Sequence, residues 1–321
     1  MAMSETALIE RFFRNCSASR ADVALGIGDD AAVVRVPPGA ELVAATDTLV
    51  AGVHFPLNCP PAAIGHRSLA VNLSDLAAMG ARPTWALLAL TLPEAGEQWL
   101  SEFAAGFGAL ARAHEVALIG GDTTRGPLCV TVQLLGHLPP GTALTRAGGH
   151  AEDALFVSGT PGDAGAGLAL EQGRLMALPA AGAYLRQRFL LPTPRVALGQ
   201  RLRGHASACI DVSDGLLGDA GKLAAASCAG LEIAEELLPL SAALREVLDE
   251  PSARQLALSA GDDYELCFAV PQPNLARLER ELPAAQWGYT RIGRLRTAHG
   301  AVVVRDGAVI EFSHSGYQHF S

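Results

Sequence analysis

Six short segments of this chain combine carboxylates with glycine or hydroxyl residues: Gly28-Asp29-Asp30, Thr46-Asp47-Thr48, Asn72-Leu73-Ser74-Asp75, Gly120-Gly121-Asp122-Thr123-Thr124, Asp211-Val212-Ser213-Asp214-Gly215 and Gly261-Asp262-Asp263-Tyr264-Glu265. Carboxylate and hydroxyl oxygens are the ligands hard divalent cations prefer. Magnesium in phosphoryl-transfer sites is typically shared between carboxylates and substrate phosphates. Gathered in one cleft, the segments would form a polynuclear magnesium site. Each also has an ordinary reading, because Asp-Gly and Gly-Asp are common turn pairs and Ser or Asp caps helices. The recurrence is the informative feature. A chain that needs only turns would vary Asn, Ser, Pro and Gly, whereas this one returns to aspartate beside apolar runs.

A nucleotide site also needs donors for phosphate oxygens. The pattern G-x-x-x-x-G-K-[ST] is absent and Lys222 is the only lysine of the chain, which excludes a P-loop and the lysine and catalytic-loop set of protein kinases. Backbone amides at Gly120, Gly121 and from Gly159 to Gly165 offer another phosphate cradle, with Arg146 as a cationic partner. A calcium-holding module is disfavoured by the absence of the EF-hand pattern. Asp211 and Asp214 lack the D-x-D spacing of aspartyl-phosphate phosphatases.

These segments need elements to carry them. Apolar runs of strand character occur at 31–36, 42–46, 84–92, 116–119, 128–137, 154–158, 206–212, 231–234, 266–270, 290–295, 301–304 and 308–312. Helical spacing covers 5–15, 62–79, 94–114, 163–173, 180–189, 195–202, 216–227 and 274–282. Most acidic segments fall at the end of a strand run, where loops display functional groups on a rigid scaffold. The order of elements is mixed rather than strictly alternating, so the expected class is α+β. At 321 residues two domains are expected. A Gly/Pro/His-rich passage at 139–152 separates them, and the boundaries are set at 1–148 and 149–321.

Half the residues are hydrophobic and the formal net charge is −9. Such a surface repels nucleic-acid backbones and anionic membranes. No apolar run is long enough to span a bilayer and no targeting signal opens the chain, so neither partner is expected and the cytoplasm is the default location. Six cysteines without a C-x-x-C pair read as reduced structural thiols.

In this order the segments GIGDDAAV (26–33), TDTLVAGVHF (46–55), NLSDLAAMGARP (72–83), LIGGDTTRGP (118–127), DVSDGL (211–216) and GDDYEL (261–266) resemble the thiamine-monophosphate kinase family. That family belongs to the superfamily of aminoimidazole ribonucleotide synthetase and selenophosphate synthetase. The resemblance implies two mixed α/β domains, the N-terminal one binding metal and substrate and pairing its sheet across a homodimer, the C-terminal one closing over ATP. It implies Mg2+ held by Asp30, Thr46, Asp47, Asp75, Asp122, Asp211 and Asp214. ATP contacts fall at Gly121, Asp122, Arg146 and Ser213, and contacts to thiamine monophosphate at His54, Asp262 and Tyr317. Where this chain has Asp262 the family often has glutamate, so the arm is shorter. The implied reaction is transfer of the γ-phosphoryl group of ATP to thiamine monophosphate, giving thiamine diphosphate and ADP without a general base. A related ATP-dependent synthetase with another acceptor, a metal-dependent phosphatase, or a non-catalytic metal- and nucleotide-binding module are the competing readings.

Overall fold

A computed structural model describes residues 4–310, Phe312 and Gly316. The chain divides into two compact units, Met1–Leu76 with Ala81–Gly141, and Ala77–Gly80 with Thr142–Ser321. The first opens with α1 (Glu5–Leu8), which continues as a π-helical turn, Ile9–Phe13, where a regular helix is expected from the spacing. A two-stranded ribbon follows, β1 (Val23–Leu25) and β2 (Val33–Val34), then β3 (Glu41–Val50), α2 (Pro61–Ala78), β4 (Arg82–Leu92), α3 (Glu97–Ala113), β5 (Ala117–Arg125) and β6 (Cys129–Leu138). Among the described residues, the longer strands form a sheet in the order β3-β6-β4-β5, with β4 and β5 parallel and the other pairs antiparallel.

Burial alternates along β3, so that Val43, Ala45, Asp47 and Leu49 are less exposed than Leu42, Ala44, Thr46 and Thr48. This is the period of two that a half-covered sheet imposes. α3 supplies apolar cover through Leu100, Phe103, Ala104, Phe107 and Leu110 at helical spacing, with Trp99 and Phe107 stacked on either side of Phe103. α2 and α3 touch backbone to backbone. A Cβ at Gly65 would lie 2.2 Å from Phe103 O, and one at Gly106 would lie 1.9 Å from Ala62 O. Alanine is the better helix former by roughly 1 kcal/mol, but overpacking costs about 1–3 kcal/mol, and the clash is with carbonyl groups that cannot rotate away. Gly106→Ala is therefore expected to destabilise the protein by about 1–2 kcal/mol net in chemical denaturation. A stabilised variant would show that the helices separate freely.

The second unit contains β7 (Ala154–Ser158), α4 (Asp163–Glu171), α5 (Pro179–Leu190), α6 (Val196–Leu202), β8 (Ala208–Val212), α7 (Leu216–Ala226), β9 (Gly230–Ala234), α8 (Ala242–Val247) and α9 (Glu250–Ser259). It closes with β10 (Glu265–Val270), α10 (Leu275–Glu281), α11 (Ala284–Trp287), β11 (Tyr289–Arg296), β12 (Ala301–Arg305) and β13 (Ala308–Ile310). Its strands, among the described residues, run β13-β12-β9-β11-β7-β10-β8, antiparallel except for β12 with β9. β7, β8 and β10 are buried along their whole length, which is why they read as unbroken apolar runs instead of alternating ones. One face stacks Phe156, Phe268 and Tyr289 at 5.4–5.5 Å. The other packs Val157, Ile210, Val212 and Cys267 against Leu216, Ala220 and Leu223 of α7.

The mixed order of elements follows expectation. β1, α8, α9 and α11 fall in stretches to which the sequence spacing assigns no element. Thr46-Asp47-Thr48 and Gly120 to Thr124 lie inside β3 and β5, which run past the strand ends expected at 46 and 119, while Asn72 to Asp75 lies in α2 as the 62–79 spacing predicts. No helix among the described residues is long and apolar enough to cross a membrane.

Candidate active site

In the first unit, α2 brings Asp75 to Asp47. Asp47 occupies the inward phase of β3, where an apolar residue would ordinarily sit. Its carboxyl group shares a hydrogen bond with that of Asp75 and lies near His54. Burial pushes the Asp47 pKa up, and the Asp75 hydrogen bond opposes that shift. Two carboxyl groups can share a hydrogen bond only with a proton between them. Once that proton is lost they repel, and a cation is its natural replacement. The oxygen-only donor set fits a hard divalent ion. His54 stands in the turn after β3, its Nδ1 accepting the Val50 N–H at 2.9 Å, which leaves Nε2 as the protonated nitrogen of the neutral ring.

Asp122 is not part of this group within the unit. The ladder aligns Asp47, Val132, Leu88 and Gly121 in one row and Thr48, Thr131, Ala89 and Asp122 in the next. Asp122 therefore shares a sheet face with Thr48, opposite that of Asp47. It lies on the far edge strand, three spacings or about 14 Å away. Gly121 is required beside it, because a Cβ there would fall 1.8 Å from Leu88 O. Thr46 is exposed, its hydroxyl donating to Val132 O at 3.2 Å. Asp30 is exposed in the β1–β2 connection, its N–H donating to Asp29 Oδ1 at 2.8 Å. Arg14 braces that connection by donating to Ile27 O at 2.8 Å. Among the described residues no three His, Cys, Asp or Glu side chains come together at metal-binding spacing. Within this unit Asp47 and Asp75 come together, while β3 and β5 are opposite edges of the sheet and keep Asp122 apart from them.

In the second unit, antiparallel pairing does the gathering. Glu265 stands opposite Val212 and Cys267 opposite Val157, so the end of β8, the start of β10 and the end of β7 share one edge of the core. Asp211, nearly buried, and the Ser213-Asp214 turn leave β8 there. The Ser213 and Asp214 N–H groups donate to Asp219 Oδ2 at 3.0 and 2.9 Å. Lys222 Nζ reaches Asp214 at 2.6 Å and Asp219 at 2.9 Å. Burial raises the Asp219 pKa, opposed by Lys222 and by the Asp214 amide. Asp262 sits beside this turn, its N–H donating to Ser213 O at 2.8 Å.

Ser158 and Arg195 both hydrogen-bond Glu265 Oε2, and Arg188 ion-pairs with Oε1 at 2.6 Å. Burial alone would push Glu265 up; the hydrogen bonds and charges of Arg195 and Arg188 outweigh it and hold the carboxylate below its ordinary range. The glycines after Ser158 are not an open phosphate cradle. A Cβ at Gly159 would meet Glu265 Oε1 at 2.0 Å, and the Gly162 and Ala164 N–H groups already donate to Asp263. Arg146 is exposed, and its carbonyl accepts from the Ser227 hydroxyl at 2.8 Å. Tyr317 lies outside the described residues. Asp263 and Glu265 fall in the sixth acidic segment but carry no separate expectation there, and Asp219, Arg188 and Arg195 are not marked by the sequence. The usable signal was Lys222, a lone lysine three residues after an aspartate on one helix.

Residues 28–138 match the family described as AIR synthase related protein, N-terminal domain, and residues 150–305 match its C-terminal domain. Fold and matches define an enzyme of the AIR synthase-related class. At full length the chain is 47% identical to a thiamine-monophosphate kinase of Salmonella typhimurium, covering 100% of this chain and 99% of that one. It is similar to a crystal structure of the thiamine-monophosphate kinase of Stenotrophomonas maltophilia, with TM-score 0.87, 48% identity and coverage of 97% and 99% of the two chains. It is also similar to AaThiL complexed with AMPPCP and TMP, with TM-score 0.78, 34% identity and 92% of each chain covered. The chain belongs to the thiamine-monophosphate kinase family.

Proposed function

We propose that this protein phosphorylates thiamine monophosphate to thiamine diphosphate, moving the γ-phosphoryl group of ATP directly to the acceptor's phosphate and releasing ADP. Family membership supports the two substrates. The observation that carries the chemistry is the Asp47–Asp75 pair, an inward-facing carboxylate couple beside His54. Asp30, Thr46, Asp47, Asp75, Asp122, Asp211 and Asp214 would hold magnesium. A bound divalent cation would supply neutralisation of phosphate charge.

A phosphate monoester has its second pKa at about 6, so the attacking oxygen is already deprotonated at neutral pH. No side chain has to remove a proton. The task left to this chain is to align two anionic groups and exclude water while their repulsion is overcome. Gly121, Asp122, Arg146 and Ser213 are assigned to ATP, and His54, Asp262 and Tyr317 to the acceptor. The reading includes a homodimer and a cytoplasmic location. The uncovered sheet face carrying Leu42, Ala44, Thr46 and Thr48 supports pairing with a second copy.

An ADP-release assay with thiamine monophosphate, thiamine and buffer as parallel acceptors tests the reading. ADP is expected with thiamine monophosphate alone, because thiamine lacks the attacking phosphate oxygen. Equal ADP release in all three would replace kinase chemistry with hydrolysis.

A further inference from the structure

Asp262 (φ 69°) and Tyr264 (φ 50°) place two left-handed, non-glycine residues within three positions of one loop. Backbone of this kind is unfavourable for residues with a Cβ and persists where the surroundings over-determine it, most often at functional sites. Here the restraints are visible on every side. The Asp262 N–H donates to Ser213 O and the Tyr264 N–H to Val212 O, both at 2.8 Å. Gly261 packs so closely that a Cβ would lie 2.4 Å from Ser213 O.

Between the two strained residues, Asp263 is fully buried. Its carboxylate accepts the Gly162 N–H at 2.8 Å and the Ala164 N–H at 3.3 Å, at the first turn of α4. The Tyr264 hydroxyl lies 3.3 Å from Asp262 Oδ1. On the C-terminal side the chain is fixed by Glu265 and its two arginines. Of the residues 262–265 only Asp262 keeps appreciable exposure. An aspartate has one fewer side-chain torsion than a glutamate, so the place of its carboxylate is set mainly by its backbone.

We propose that Asp263 and Tyr264 are positioning residues for acceptor binding. Asp263 locks the left-handed loop onto the start of α4, and Tyr264 orients the carboxylate that this loop presents. The inference rests on the reading of Asp262 as an acceptor contact.

The test is a double-mutant cycle on the full-length protein, with KM for thiamine monophosphate, KM for ATP, kcat and the melting temperature measured for each variant. Asp262→Gly, which accepts positive φ and lacks the carboxylate, is expected to raise KM for the acceptor roughly 10- to 100-fold, the scale of a lost hydrogen bond to a charged group. Tyr264→Phe and Asp263→Asn are expected to raise it roughly 3- to 10-fold, with kcat and KM for ATP within about twofold. In the Asp262→Gly background both effects should vanish. Equal effects in the two backgrounds would mark Asp263 and Tyr264 as merely structural and overturn the proposal. So would an unchanged acceptor KM in both single variants while Asp262→Gly raises it. An unchanged KM in Asp262→Gly itself would instead remove the acceptor assignment of Asp262, and the inference with it. If Asp263→Asn does not fold, Tyr264→Phe, which keeps the ring and loses one oxygen, decides alone.

Discussion

Asp75→Asn is expected to lower turnover by roughly 10²- to 10³-fold, the range seen when one electrostatic contributor to a transition state is removed, with no loss of thermal stability. The two halves of this result have one cause. Asp75 shares a hydrogen bond with Asp47, whose pKa is raised chiefly by burial. Asparagine keeps the shape and can donate to Asp47 without a shared proton, so the contact that the fold uses survives. A cation, in contrast, loses a carboxylate ligand and phosphate repulsion goes uncompensated. Stability and activity should thus move apart, as they do where a site is held at the expense of the fold. Steady-state turnover at varied magnesium, alongside melting curves, checks both halves. Turnover within threefold of the parent, with the same magnesium dependence, would remove Asp75 from the site.

Glu265→Gln is expected to have the largest effect on stability, about 3–5 kcal/mol, or a melting temperature lower by on the order of 10 °C. Glu265 is fully buried and faces Arg188 and Arg195, which are respectively 12% and 27% exposed along their side chains. The amide would present a donor to one guanidinium and remove the carboxylate that both guanidinium groups face. Partial exposure of Arg195 softens its share through solvent screening. The cost comes from the stranded charges rather than from the lost contacts. Arg188→Met, Glu265→Leu and Arg195→Met combined should recover part of the loss, since replacing a buried ionic group with apolar side chains is often close to neutral. A triple variant less stable than Glu265→Gln would show that the hydrogen bonds, including that of Ser158, dominate.

Strands that are buried on both faces were legible as apolar runs; Ala154–Ser158 is read with the limits the structure gives it. α2 was legible to within a residue from its spacing and the Gly80 stop. α8 and α9 were not, because each is short, and Pro251 at the start of α9 reads as loop when its Asp249 cap is not recognised. The place of Asp75 in a helix was legible from the 62–79 spacing, but that Asp47 and Asp122 lie inside strands was not. β3 and β5 run past their apolar runs, and a sequence shows carboxylates without showing how far strand pairing extends. The residues that fix the turns were harder still. Asp263 meets Gly162 across 101 positions and Glu265 meets Ser158 across 107, and no local pattern encodes such pairings.

The ion-paired triangle of Lys222 with Asp214 and Asp219 makes this protein unusually simple to amine-directed chemistry. Acylating and crosslinking reagents find a single ε-amino group in the chain. Its side chain is 48% exposed and holds the Asp214 turn by its charge. Acylation there would abolish the sole lysine cation and set two carboxylates against each other. The reactivity of that one nitrogen is therefore a readout of whether the turn is closed.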